Sequence, residues 1–141
     1  EIISAQERLL TGESSFLAVL ETLDRTLNAT GIRYIGHWLT PECEARRYDT
    51  RFFIAEVSDG VMVRPHEKEM TDYLWLTPGE ALKRNREGDL PLVLPTLYTL
   101  EELDSFPTPR EAMEHMESGP HPRRLPVPER TPDGIRFSFR G

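Results

Sequence analysis

Two stretches rich in β-forming side chains, 32–39 and 51–57, lie between segments of helical periodicity, and that order constrains the fold most. Residues 41–48 between them are too many for a two-residue hairpin turn. Upstream, Phe16, Leu20, Leu23 and Leu27 recur at spacings of four, three and four, with Val19 beside them, which predicts a helix running towards a stop at Gly31. A shorter helix is expected before it, capped by Ser4 with Glu7 reaching back and closed by Gly12. Downstream, Ser58-Asp59-Gly60 reads as a turn and 70–76 as a third strand. Thr77-Pro78-Gly79-Glu80 opens a helix ending at Gly88, and the same signal recurs at Thr99 with Glu102 and at Thr108 with Glu111. Helices around a small sheet make the fold class α+β.

Past Gly119 the chain becomes proline-rich, and the turn Pro132-Asp133-Gly134 predicts a hairpin pairing 125–129 with 135–139. The expected organisation is one domain over 1–119 and an extended proline-rich tail over 120–141. With 141 residues, the chain is long enough to bury its own core. A net charge of −7 speaks against general nucleic-acid binding, and no apolar run reaches the roughly 18 residues of a membrane span. The single cysteine, Cys43, excludes an internal disulfide and fits a reducing compartment. The start shows no signal-peptide pattern and the end no peroxisomal one, so the expected location is cytoplasmic.

Four segments in order carry a family resemblance. They are His37-Trp38-Leu39-Thr40-Pro41-Glu42, the run from Arg47 to Phe53, Glu69-x-x-Asp72-x-x-Trp75-Leu76-x-Pro78-x-Glu80-Ala81-Leu82, and Leu94-Pro95-Thr96-Leu97-x-Thr99-Leu100. Together they resemble the Nudix hydrolases, in the subgroup that includes the peroxisomal coenzyme A diphosphatases. The resemblance implies an α/β/α sandwich around a mixed sheet. It also implies hydrolysis of a diphosphate linkage in coenzyme A or nucleoside diphosphate derivatives, dependent on Mg²⁺ or Mn²⁺. Such ions favour hard oxygen ligands, which the family supplies from a helix of pattern G-x5-E-x7-R-E-x-x-E-E-x-G. These 141 residues do not contain that pattern. The domain is therefore expected to be incomplete on its N-terminal side and not catalytic as it stands. The alternative is a non-catalytic ligand-binding or protein-interaction module, with a homo-oligomer also open.

No catalytic residue carries over. Glu69, with Glu67 beside it, matches a position where the family places a further metal-associated glutamate, against the plainer reading of two exposed carboxylates in a polar run. Arg51 has donors to meet a phosphate, or to pair with Asp49 and serve the fold. His37 and Trp38 are candidates for a substrate pocket, although consecutive strand residues face opposite sides and Trp38 also suits the core. Arg46 and Arg47 read as surface charges able to attract an anion. His66, His115, His121 and Cys43 have no zinc-ligand spacing.

Overall fold

A computed structural model describes residues 2–63, 65, 70, 72–132 and 134–140. The chain forms two compact units, Glu1–Gly31 and Ile32–Gly141. The first holds α1 (Ile2–Leu10) and α2 (Phe16–Thr22). Helix α1 already runs through Ser4, which corrects the expected cap there. Gly12 follows α1 at φ +75°, as the stop signal predicts. Ser15 caps α2, its Oγ accepting from the Ala18 N–H at 3.2 Å. That helix ends well before Gly31. Asp24 takes a left-handed φ of 49°. The Arg25 N–H then bonds the Leu20 carbonyl at 2.9 Å and the Asp24 N–H bonds the Glu21 carbonyl at 3.1 Å. This pair is a Schellman closure, and a short aspartate tolerates its left-handed position. Leu27 is consequently outside the helix and exposed.

In the second unit the elements are β1 (Ile32–Leu39), β2 (Asp49–Ala55), α3 (Pro78–Arg86), α4 (Leu94–Asp104), α5 (Pro109–Ser118), β3 (Arg123–Thr131) and β4 (Gly134–Arg140). The sheet is four-stranded and mixed, in the order β2-β1-β3-β4. β1 pairs antiparallel with β2, with an irregularity between Tyr34 and Gly36, and parallel with β3 through His37 and Trp38. β3 and β4 make the terminal hairpin, with Val127 opposite Ser138. The proline-rich segment thus supplies half of the strands. Prolines are tolerated there because Pro126 and Pro128 need donate nothing on their unpaired side.

Two sequence expectations for this unit fail. Met70 and residues 72–76 take no regular structure, although Tyr73, Leu74 and Trp75 are β-formers. Those side chains are exposed, so no sheet face buries them. Thr99 lies inside α4, which starts five residues earlier. Its hydroxyl bonds back to the Pro95 carbonyl at 2.8 Å, the option open to a mid-helix threonine. The caps at Thr77 and Thr108 and the Gly88 stop are observed.

The core of this unit is Ile35, Trp38, Ala81, Leu82, Ala112 and Met116. Trp38 is 2% exposed. Its ring centroid lies 5.8 Å from Tyr98 of α4 and 5.6 Å from Phe139 of β4, and those two rings meet edge-on at 5.0 Å. The Arg124 guanidinium sits 5.3 Å over the indole and pairs with Glu102 at 3.6 Å. These contacts hold α4 against the Trp38 face of the sheet. Among the described residues, no helix is long and apolar enough to cross a membrane.

Candidate functional site

A cleft of about 770 Å³ opens over the Trp38 face of the sheet. Side-chain alternation builds its floor: Trp38 of β1 sits opposite Thr50 of β2, and Phe52 follows on the same side. The start of α4 adds Val93 and Pro95, and the terminal hairpin adds Pro126, Pro128, Ile135 and Phe137. The 40–48 loop closes one side with Pro41, Cys43 and Tyr48. That loop is tied across its base. The Thr40 N–H bonds the Tyr48 carbonyl at 3.0 Å, the Tyr48 N–H bonds the Thr40 hydroxyl at 2.9 Å, and Arg47 Nε bonds the Thr40 carbonyl at 3.2 Å. Arg46 lies 5.2 Å over the Tyr48 ring. Arg130 and Glu44 are the charged side chains in the walls. The indole N–H of Trp38 is buried without a hydrogen-bond partner, so its attachments are apolar and cation–π.

His37 and Arg51 face the other way. They are register partners one position from the Trp38–Thr50 pair, and so point to the opposite side of the sheet. His37 Nε2 donates to Asp49 Oδ1 at 2.6 Å, and Arg51 Nη1 lies 3.8 Å from the same oxygen. The His37 hydrogen bond holds the Asp49 carboxyl below its ordinary value; burial opposes it, and the charges of His37, Arg51 and Arg123 each add a smaller lowering effect. The three sequence-nominated ligand residues are therefore divided. His37 and Arg51 are together around Asp49, and Trp38 alone reaches the cleft.

Glu67 and Glu69 lie outside the described residues. Among the described residues, no three His, Cys, Asp or Glu side chains converge to hold a metal ion. The donor set on view does not fit the divalent cation that the resemblance implies. Sequence reading also missed Arg130, Ile135 and Phe137 as site residues. The signal was present in the predicted hairpin: alternation along it puts Pro126, Pro128 and Arg130 on one face, with Ile135 and Phe137 beside them. What the sequence did not reveal was that this hairpin docks beside β1.

Chemically, the cleft can take an apolar body and meet an anion at Arg130, and the Asp49 cluster can fix two strands in register. A family model for the NUDT19 Nudix domain matches residues 1–103. The acyl-coenzyme A diphosphatase NUDT19 of Xenopus laevis is 29% identical over 105 residues, covering 72% of this chain and 28% of that protein. The Homo sapiens protein of the same name is 27% identical over 144 residues, covering 95% of this chain and 37% of that one. The chain thus spans roughly a third of the length of these curated relatives. The crystal structure of a NUDIX hydrolase from Alicyclobacillus acidocaldarius superposes with a TM-score of 0.72 at 31% identity, over 83% of this chain and 53% of that one.

Proposed function

Because the chain belongs to the NUDT19 Nudix domain family, we propose that it serves a diphosphate hydrolase by recognising coenzyme A or a nucleoside diphosphate derivative. The observation that carries this reading is the extent of the family match, residues 1–103, which includes Trp38, Thr50 and Phe52 on the cleft floor as well as α3. The cleft is of the size that small-molecule sites have, mostly apolar with few polar groups.

Trp38 is assigned to the ligand wall. His37 and Arg51 act behind it as positioning residues: through Asp49 they lock the β1–β2 pair whose other face is that wall. A ligand extending to that face would meet Arg51, whose side chain is 61% exposed. The family chemistry calls for Mg²⁺ or Mn²⁺, which neutralises the diphosphate and activates water when bound. Glu69 and Glu67 are the candidate cation contacts. Since the described residues alone do not form a metal site, binding is assigned to them and no step of bond cleavage.

A second reading, a binding module without turnover, is favoured by one observation: the acidic helix pattern is not among these 141 residues. One experiment addresses both. The purified chain is titrated calorimetrically with coenzyme A and with pantetheine, which has no diphosphate, and product is followed with Mg²⁺ or Mn²⁺. Coenzyme A should bind, pantetheine should not, and the chain alone should give no turnover. Equal binding of the two, or none, removes the diphosphate reading. Turnover would put a complete metal site within 1–141 and overturn the assignment of binding alone.

A further inference from the structure

We propose that the outer edge of β2 binds the β2 strand of a second copy of this chain, antiparallel about a two-fold axis at Thr50. This pairing is independent of the coenzyme A reading above. Its first support is the edge itself. β2 is an end strand of the sheet, and β1 is the neighbour it pairs with. Among the described residues, no backbone hydrogen bond from outside the sheet reaches residues 49–55. A strand edge presents N–H and C=O groups ready to pair with another chain, and edges are ordinarily blunted by proline, lysine or a bulge. β2 has neither proline nor lysine, and the irregularity in its pairing comes from an extra residue in β1, at Ile35. Tyr48 and Phe53 are 54% and 59% exposed, so the edge also offers apolar side chains for a partner to cover.

Charge selects the partner and the register. Residues directly opposite in an antiparallel pair share a face of the sheet. With the axis at Thr50, Asp49 of each copy stands opposite Arg51 of the other, and Tyr48 stands opposite Phe52. With the axis at Asp49 or at Arg51, like charges face each other across the seam, which disfavours pairing. An axis at Phe52 leaves Arg51 opposite Phe53 and Asp49 opposite Ala55, with no ion pair gained. Within one chain, Arg51 Nη1 lies 3.8 Å from Asp49 Oδ1, a loose contact, while His37 holds that oxygen at 2.6 Å. Arg51 thus keeps donors for a second carboxylate. Each exposed ion pair adds little affinity; its part is to exclude the neighbouring registers. The other end strand, β4, carries Arg136 and Arg140 and no acid, so self-pairing there gains no ion pair.

Pairing at β2 also alters the cleft. Tyr48 and Phe52 are wall residues there. The second copy's Tyr48 comes beside Phe52, so each cleft gains wall from the other copy and both open on one face of a continuous sheet.

Sedimentation velocity is run at about 0.15 M salt, where the screening length is about 8 Å and the −7 on each copy is damped beyond the seam. The species should move from monomer to twice the monomer mass as concentration rises. Arg51→Glu should raise the dimer Kd at least about tenfold by setting acids opposite acids, and Asp49→Lys should do the same with bases. Mixed in equal amounts, the two variants should form a heterodimer, because each reversed charge again meets its opposite. Thr50→Cys in a Cys43→Ser background should cross-link to itself on mild oxidation. Phe52→Cys in that background should not, since the two positions lie about 13 Å apart along the strands, beyond the reach of a disulfide.

A monomer at every concentration, with no cross-link at 50, overturns the pairing and leaves the coenzyme A reading standing. A dimer that neither charge reversal weakens, or one that cross-links at 52 and not at 50, places the contact elsewhere and overturns it too. Asp49→Lys gives up the His37 bond; if it fails to fold, Arg51→Glu and the two cysteine variants still decide.

Discussion

Glu80 accepts two hydrogen bonds from Thr77, from its backbone N–H at 2.9 Å and its hydroxyl at 2.8 Å. The backbone bond first, and then the hydroxyl bond, hold the Glu80 carboxyl below its ordinary value. Asp49 is lowered too, chiefly by the hydrogen bond from His37. A carboxyl whose folded pKa is depressed binds its proton more readily in the unfolded chain. Its contribution to stability is therefore present above the unfolded pKa and lost as pH falls through the folded one. The melting temperature should fall between about pH 5 and about pH 3, and the fall should be shallower in Glu80→Gln. Thermal scans across that range check it, and parallel curves for the two proteins would refute it. The two carboxylates were not equally legible. The Thr77–Glu80 box is a local pattern, readable from four consecutive residues. The His37–Asp49 bond depends on the register of two strands joined by a long loop, so the sequence offered Asp49 as a partner for Arg51 and left His37 as a pocket candidate.

Helices α4 and α5 differ in how they begin. Thr108 caps α5, its hydroxyl accepting from the Glu111 N–H at 3.2 Å, whereas Val93 stands at the α4 N-cap with no side-chain acceptor. Val93 already has the extended backbone a cap needs, with ψ 151°. Val93→Ser should therefore stabilise the chain by about 0.5–1 kcal/mol, and Thr108→Ala should destabilise it by about 1 kcal/mol. Urea midpoints for both read the outcome, and an unchanged or lower midpoint for Val93→Ser would count against the cap assignment. The uncapped start of α4 also explains why the sequence misplaced it. Thr99-Leu100-Glu101-Glu102 has the form of a box, while the true start has only Pro95 near its first position. Strand β1 was legible because a segment rich in β-formers is also a paired one. Residues 72–76 have similar composition, but among the described residues no strand pairs with them, and pairing is not a property of composition. Asp24 ended α2 early for a related reason: a closure by aspartate leaves a weaker trace in sequence than one by glycine.

At the scale of the whole molecule, the sheet brings distant segments onto one face, and the cleft is made that way from β1, β2, the start of α4 and the β3–β4 hairpin. The family resemblance survived that assembly because its segments are contiguous in sequence and match over 1–103. The cleft was illegible because the parallel β1–β3 pairing that completes it joins chain segments far apart. Charge also acts at this scale. The chain carries −7 overall while Arg130 and Arg46 stand at the cleft, so an anionic ligand meets long-range repulsion and short-range attraction together. Added salt weakens both, the long-range part more, since the Debye length is about 30 Å at 0.01 M and about 10 Å at 0.1 M. For the unaltered chain the two changes oppose each other, and coenzyme A affinity should move less than about threefold over that range. Arg130→Glu removes a local attraction and adds a local repulsion, so salt then relieves repulsion at both ranges. Its affinity, weaker at the outset, should rise with salt. Titrations of the two proteins at low and moderate ionic strength give the comparison. If Arg130→Glu instead loses affinity with salt, the anion is held by other cations and Arg130 is not its partner.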